Sequence, residues 1–65
     1  MRVIVNQIPR DLNADTSLTE LLEAIEATPP FAVAVNWNFV PKNEHDTLIL
    51  KENDEIEVIS PVTGG

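Results

Sequence analysis

The C-terminal dipeptide Gly64-Gly65 has the residue types best suited to chemistry in this sequence. These two are its only glycines among 65 residues. Without a Cβ, glycine lets a backbone pass through a narrow channel and leaves the terminal carbonyl carbon open to attack. An α-carboxylate, with a pKa of about 3.5, is ionised at neutral pH and can act as a nucleophile. The alternative interpretation is an inert, frayed end, because small residues are common at chain termini.

The other polar residues form no catalytic or metal-binding pattern. His45 lies in a polar loop, and we expect it to be exposed to solvent without a catalytic role, because zinc sites need three or four converging ligands. The acidic residues near the end lack the spacing of a calcium-binding loop; they are Glu52, Asp54, Glu55 and Glu57. The absence of cysteine excludes disulfides and thiol chemistry. We therefore predict no metal site and no permanently bound cofactor.

The charge of the chain is strongly acidic. Four basic residues stand against eleven acidic ones, which gives a net charge of −7. The basic residues are scattered, so no positive stripe is available to neutralise a nucleic-acid backbone. The acidic surface suits solubility and approach to a basic partner. No apolar segment is long enough for a signal peptide or a membrane span, and we expect a cytoplasmic protein.

The first half of the sequence predicts a hairpin followed by a helix. Residues 1–5 and 8–12 are the two strands, joined by a tight turn at Asn6-Gln7, and Pro9 places the second strand at a sheet edge. The helix begins with the capping box Ser17-Leu18-Thr19-Glu20. Its apolar stripe follows the i, i+3, i+4, i+7 spacing, and consists of Leu18, Leu21, Leu22 and Ile25. Thr28-Pro29-Pro30 ends the helix.

The second half predicts several short strands. Residues 31–36 have the β-branched content and alternation of a strand, and residues 39–41 and 47–50 are two further short strand segments. Residues 55–60 alternate charged and apolar side chains, which fits a strand with one buried face. Trp37 falls in a turn, from which it can either pack over the edge of the core or contact a partner, and we expect core packing. Residues 51–54 are predicted to form a polar turn before the last strand.

These elements together predict an α+β protein with the β-grasp, or ubiquitin-like, fold. One helix must pack across one face of a mixed sheet of about four to five strands. A right-handed crossover then allows the last strand to lie parallel beside the first. We expect residues 1–60 to form the domain and residues 61–65 a flexible tail. Ile4 and Ile59 would lie side by side on the open face, with Val62 extending a partner-docking patch.

Three stretches resemble the sulfur carrier family of thiamine biosynthesis, ThiS. They are VAVNWNFVPK (33–42), the turn before EIEV (55–58), and the ending SPVTGG (60–65). The resemblance extends over the whole chain and is most specific from Val33 onward. It departs at two turns, where Asn53 and Gln7 stand at positions that glycine commonly occupies. Asparagine tolerates positive φ, so the change at Asn53 fits the turn.

The resemblance implies a protein that enzymes act upon, and not an enzyme. A ubiquitin-activating-type adenylyltransferase (ThiF-like) uses ATP to adenylate the Gly65 carboxylate, and sulfur then displaces AMP to give a thiocarboxylate. Thiazole synthase (ThiG-like) takes this sulfur for the thiazole ring of thiamine. A donor such as cysteine desulfurase supplies it. Gly64 is implied to let the backbone lie close to the channel walls, and the free carrier is expected to be a monomer.

Three other interpretations are compatible with the residues. The small subunit of molybdopterin synthase (MoaD) has the same fold and a similar ending, but its members are typically longer. A ubiquitin-like protein modifier would join its terminus to lysines through amide bonds. An acidic binding module would use its surface and leave Gly64 and Gly65 without a function.

Overall fold

The computed structural model of the chain describes residues 1–60, which form a five-stranded mixed sheet with a helix across one face. The strand order is β2-β1-β5-β3-β4. The elements in chain order are β1 (Arg2–Val5), β2 (Ile8–Asp11), α1 (Leu18–Ala24), β3 (Ala32–Val35), β4 (Asn38–Val40), a 3₁₀ turn (Lys42–Glu44) and β5 (Glu55–Ile59).

The sheet has the arrangement that the sequence predicted. The last strand, β5, lies parallel to β1, with Val5 beside Ile56, and antiparallel to β3 on its other side. The two hairpins β1–β2 and β3–β4 therefore flank β5 without pairing to each other. Strand β2 is at an edge, as Pro9 indicated. The β-grasp prediction is confirmed.

Helix α1 begins where its capping box predicted. The Ser17 hydroxyl accepts from the Glu20 N–H at 3.1 Å, and the Glu20 carboxylate accepts from the Ser17 N–H at 2.9 Å. These two bonds satisfy amides that have no partner within the helix. Leu18, Leu21 and Leu22 are buried, so the predicted stripe faces the sheet.

The core lies between this stripe and the inner face of the sheet. Alternation along the strands directs Val3 and Val5 of β1 and Ile56 of β5 inward. The buried apolar residues form one cluster, which consists of Val3, Val5, Leu18, Leu21, Leu22, Val33, Val35, Val40, Leu50 and Ile56. No helix in residues 1–60 is long and apolar enough to cross a membrane.

The predicted strand at residues 47–50 is wrong. The Leu18 N–H donates to the Leu48 carbonyl and the Leu50 N–H to the Thr16 carbonyl, both at 2.9 Å. The segment thus pairs with the chain entering α1 and not with the sheet. Its consecutive apolar residues favour a strand from the sequence alone, but of these only Leu50 is fully buried in the core.

Both hairpins close through turns with positive φ at two successive residues. The values are 49° and 70° for Asn6 and Gln7, and 51° and 70° for Asn36 and Trp37. This is the type I′ geometry, whose twist matches that of the strands. Asn53, in the turn before β5, also has a φ of 70°.

Candidate functional site

Strand β5 is the element from which the C-terminal residues continue. Its last residue, Ile59, pairs with Ala32 of β3, and Ser60 follows. Gly64 and Gly65, and the whole predicted tail of residues 61–65, lie outside the described residues. The structure therefore describes the strand that carries the candidate reactive terminus and not the terminus itself.

The side chain of Asn6 holds β5 near this end. Strand β1 stops at Val5, but the Asn6 Oδ1 accepts from the Val58 N–H at 2.9 Å, and its Nδ2 donates to the Val58 carbonyl at 3.4 Å. The side-chain amide of Asn6 thus makes the hydrogen bonds to Val58 that the backbone of a longer β1 would make. Sequence reasoning identified Asn6 only as a turn residue, because its partner is 52 residues away.

Asn36 makes the equivalent contacts at the start of β5. Its Oδ1 accepts from the Glu55 N–H at 3.0 Å, and its Nδ2 donates to an Asp54 carboxylate oxygen at 2.9 Å. The first residue of each type I′ turn, Asn6 or Asn36, therefore forms side-chain hydrogen bonds with one end of β5. The other Asp54 oxygen accepts from the Lys51 N–H at 2.7 Å, which closes the preceding turn.

The predicted adjacency of Ile4 and Ile59 is wrong. Both lie on the open face of the sheet, but the residue beside Ile4 on β5 is Glu55. Ile59 is four residues further along, about 13 Å away at the rise of a strand. A parallel register depends on long-range pairing, and the alternation of the two strands does not set it. Ile4 is half-buried and Ile59 is exposed.

The apolar neighbours of Ile59 are on β3 and β4 instead. Antiparallel pairing places Ala32 opposite Ile59, and Ala34 opposite Phe39 of the edge strand. Side chains of directly paired residues share a face of the sheet. The open face thus has an apolar side over β3 and β4, next to the end of β5. Val62, the third residue of the predicted docking patch, lies outside the described residues.

Trp37 does not pack over the core, contrary to our expectation. It is 77% exposed, the largest exposed fraction among the large apolar side chains of residues 1–60. Its turn directs the chain back into β4, and the core beneath is already filled by valines and leucines. The aromatic side chain therefore lies on the surface, two residues from the exposed Phe39.

His45 is buried, which corrects the expectation that it is exposed to solvent. Its ring lies at a centroid distance of 6.4 Å from that of Phe31, nearly parallel to it. Its Nε2 is 3.2 Å from the Val40 carbonyl oxygen. Because a carbonyl only accepts, Nε2 carries the proton. The 3₁₀ turn after β4 folds the loop back over the core, which the local sequence did not reveal.

An open cavity of about 440 Å³ lies beside β4. Apart from Lys42 and His45, its lining is apolar and includes Pro29, Pro30, Phe31, Ala32, Val33, Phe39 and Val40. The His45 Nε2 is occupied by the Val40 carbonyl. Within residues 1–60, no three histidine or carboxylate side chains lie close enough together to hold a metal ion.

A ubiquitin-like β-grasp domain whose central strand leads to a diglycine ending defines a class of small carrier and modifier proteins. Comparison with protein families assigns the chain within that class: the ThiS family model matches residues 3–65. The chain therefore belongs to the ThiS family, the sulfur carrier family of thiamine biosynthesis that the sequence resembles.

Solved structures agree with this assignment. The crystal structure of the thiamine biosynthesis protein ThiS from Geobacter metallireducens has a TM-score of 0.85 at 25% identity, with both chains fully covered. The solution structure of a thiamine biosynthesis protein from the same organism has a TM-score of 0.77, also at 25% identity, covering all of this chain and 87% of the other. No curated protein sequence matches the chain.

Proposed function

We propose that this protein carries sulfur for thiazole formation in thiamine biosynthesis, as a thiocarboxylate on Gly65. The observation that carries the proposal is the family match, which extends from residue 3 to residue 65 and so includes both the fold and the Gly64-Gly65 ending. The match also favours the thiamine branch over the molybdopterin branch.

The chemistry takes place in two steps at the Gly65 carboxylate. A carboxylate oxygen attacks the α-phosphorus of ATP, and pyrophosphate leaves to give an acyl adenylate. A sulfur nucleophile at the level of sulfide then attacks the carbonyl carbon, and AMP leaves with the oxygen that had attacked phosphorus, while the other oxygen remains on the thiocarboxylate. The adenylyltransferase supplies the ATP site, and the carrier supplies the carboxylate. Thiazole synthase then accepts the sulfur.

The length of the ending suits this role. The five residues 61–65 span at most about 17 Å when extended, enough to enter the active site of a partner. Gly64 adds no side chain that would contact the channel walls. Because Asn6 and Ala32 fix the end of β5, the starting point of this segment is set by the sheet.

Removal of Gly65 tests the proposal directly. The wild-type chain is incubated with ATP, sulfide and the adenylyltransferase of its source organism, and its intact mass is measured. We expect the increase that corresponds to exchange of one oxygen for sulfur, and no increase in the Gly65 deletion. Equal circular dichroism and melting temperature would show that the deletion remains folded. Sulfur loading of the deleted chain would contradict the proposal.

Two further readouts separate the alternatives. A gene for this chain should rescue a thiamine auxotroph that lacks its carrier, and not a molybdopterin auxotroph. A protein modifier would instead give slowly migrating conjugates on a denaturing gel. A binding module would keep its binding after deletion of Gly65.

Ile59 is proposed to contact the adenylyltransferase where the tail enters it. The side chain is 55% exposed and lies beside Ala32 at the end of β5. Truncation to serine should weaken binding by about tenfold, which is typical for loss of a buried apolar contact. Ile8→Ser, at an exposed isoleucine on the edge strand β2 and away from the end of β5, is the matched control. Unchanged affinity of Ile59→Ser would remove Ile59 from the interface.

A further inference from the structure

Trp37 occupies a backbone position that does not favour it. It is the second residue of a type I′ turn, with a φ of 70°, where glycine is preferred. A bulky residue with positive φ is uncommon and conformationally strained. The first hairpin has the same geometry at Gln7, which also has a φ of 70°. The turn can therefore form without an aromatic side chain.

The indole does not offset this strain by filling the core. It is 77% exposed, and Phe39, two residues later, is 68% exposed. Strand β4, which contains Phe39, pairs only with β3 within residues 1–60 and forms an edge of the sheet. Two large aromatic side chains, two residues apart in sequence, thus lie in solvent where the β3–β4 turn leads into β4. Exposed tryptophan at such a position is the residue type that most often dominates a protein interface.

The charge on the Trp37 side of these two aromatic residues is negative. Asn36, adjacent to Trp37, is bonded to Asp54 and Glu55, which brings the turn of residues 51–55 alongside. That turn has three carboxylates and one lysine. Glu57 lies in the same row of the open face as Phe39, with Ala34 between them.

We propose that Trp37 and Phe39 form an aromatic corner that binds an arginine or lysine side chain of the adenylyltransferase. A cation within about 6 Å of an indole face is attracted by the ring, and nearby carboxylates strengthen that attraction. The same charge disfavours a second copy of this chain, because each copy has a net charge of −7. The partner is the one named in the proposed function, on which this inference rests.

The aromatic corner and the tail can contact one partner together. Asn36 is bonded at the start of β5 and Ser60 follows its end. The five residues of β5 between them span roughly 17 Å. An interface of standard size, about 800 Å² on each side, covers that distance. The corner would thus add affinity and orientation at a point distant from the reacting carboxylate.

The first test compares glycine at the two equivalent turn positions. Trp37→Gly and Gln7→Gly both relieve a positive φ, so both variants should melt at or above the wild-type temperature. Only Trp37→Gly should lose affinity for the adenylyltransferase, by tenfold or more in calorimetric titration. A melting temperature several degrees lower for Trp37→Gly would show that the indole stabilises the fold, and equal affinity would show that it does not bind. Either result would overturn the proposal.

A second test concerns the cation. Trp37→Leu keeps an apolar side chain but removes the aromatic face, and it should also bind at least fivefold more weakly. Wild-type affinity for Trp37→Leu would reject a cationic partner group. Because Trp37 is the only tryptophan, the chain labelled with 5-fluorotryptophan gives one ¹⁹F resonance, which should shift on addition of the enzyme.

Failure of this inference is distinguishable from failure of the proposed function. If Trp37→Gly binds normally and wild type still gains sulfur at Gly65, only the aromatic corner is rejected. If the wild type binds through Trp37 but never gains sulfur, the corner stands and the carrier chemistry is rejected. Self-association that Trp37→Gly abolishes would assign the corner to a second copy and overturn the proposal.

Discussion

At the scale of single residues, the imidazole of His45 combines a polar and an apolar contact. It donates from Nε2 to the Val40 carbonyl and stacks on Phe31. The carbonyl would otherwise lack this donor, and the ring covers part of the core. These contacts give His45 a structural role, and its position between two acidic residues in the sequence does not reveal them.

Replacement of His45 by alanine should destabilise the fold. The variant loses both the hydrogen bond and the packed ring, so the free energy of unfolding should fall by about 2–3 kcal/mol. Thermal or urea unfolding measures the change. Asn43→Ala, an exposed neighbour, is the control and should lie within about 0.5 kcal/mol of wild type. An unchanged stability of His45→Ala would contradict the structural role.

At the scale of elements, strand β5 depends on side chains from both hairpin turns. Asn6 and Asn36 bond its two ends, so each turn fixes a hairpin and also fastens the central strand. The short β1, which ends at Val5, would otherwise leave the Val58 N–H without this acceptor. The exit of the C-terminal residues is therefore set partly by Asn6.

Replacement of Asn6 by glycine should loosen the end of β5 without disturbing the turn. Glycine accepts the φ of 49° but has no amide to bind Val58. We expect hydrogen exchange of the Val58 amide to accelerate by about tenfold, as for the loss of roughly 1.4 kcal/mol of local protection. NMR exchange measures it. In the control Gln7→Gly, the Asn6 amide is retained and the Val58 rate should not change. Equal rates in all three proteins would show that Asn6 does not hold β5.

The elements that the sequence predicted well are those with local signals. The capping box and apolar stripe of α1 lie within a few residues of each other, and asparagine at a tight turn has a backbone preference of its own. The register of Ile4 against Glu55 and the contacts of Leu48 and Leu50 with the helix start depend on distant partners. The alternation of apolar and polar residues predicted the wrong neighbour for Ile4 and the wrong element for residues 47–50.

At the scale of the whole molecule, the fold sets where the chain leaves β5, and the net charge acts on a partner at a distance. The sequence indicated the family through residues 33–65 and the fold through its pattern of elements. Neither revealed that Trp37 is exposed, because exposure depends on how fully the other apolar side chains fill the core. The negative charge of −7 belongs to the whole surface and acts at longer range than any single contact.

Association with the adenylyltransferase that we propose as its partner should depend on salt. An acidic carrier approaching a basic surface is steered by charge, so the association rate should fall by about tenfold or more between low salt and 0.5 M NaCl. Stopped-flow mixing measures the rate, and the dissociation rate should change much less. A control in sucrose of matched viscosity separates screening from slower diffusion. An association rate independent of salt would show that the charge does not steer this encounter.

The position of β5 also has a consequence for biosynthesis. It is the last strand of the described chain, yet it lies between the two hairpins, which share no pairing without it. A nascent chain whose residues 55–59 are still inside the ribosome has no central strand, so its two hairpins cannot join into one sheet. Assembly of the complete sheet must therefore await the emergence of residues 55–59 from the ribosome. A truncated product that lacks β5 would remain unfolded and be open to proteases, so the cell would keep carriers whose central strand is intact.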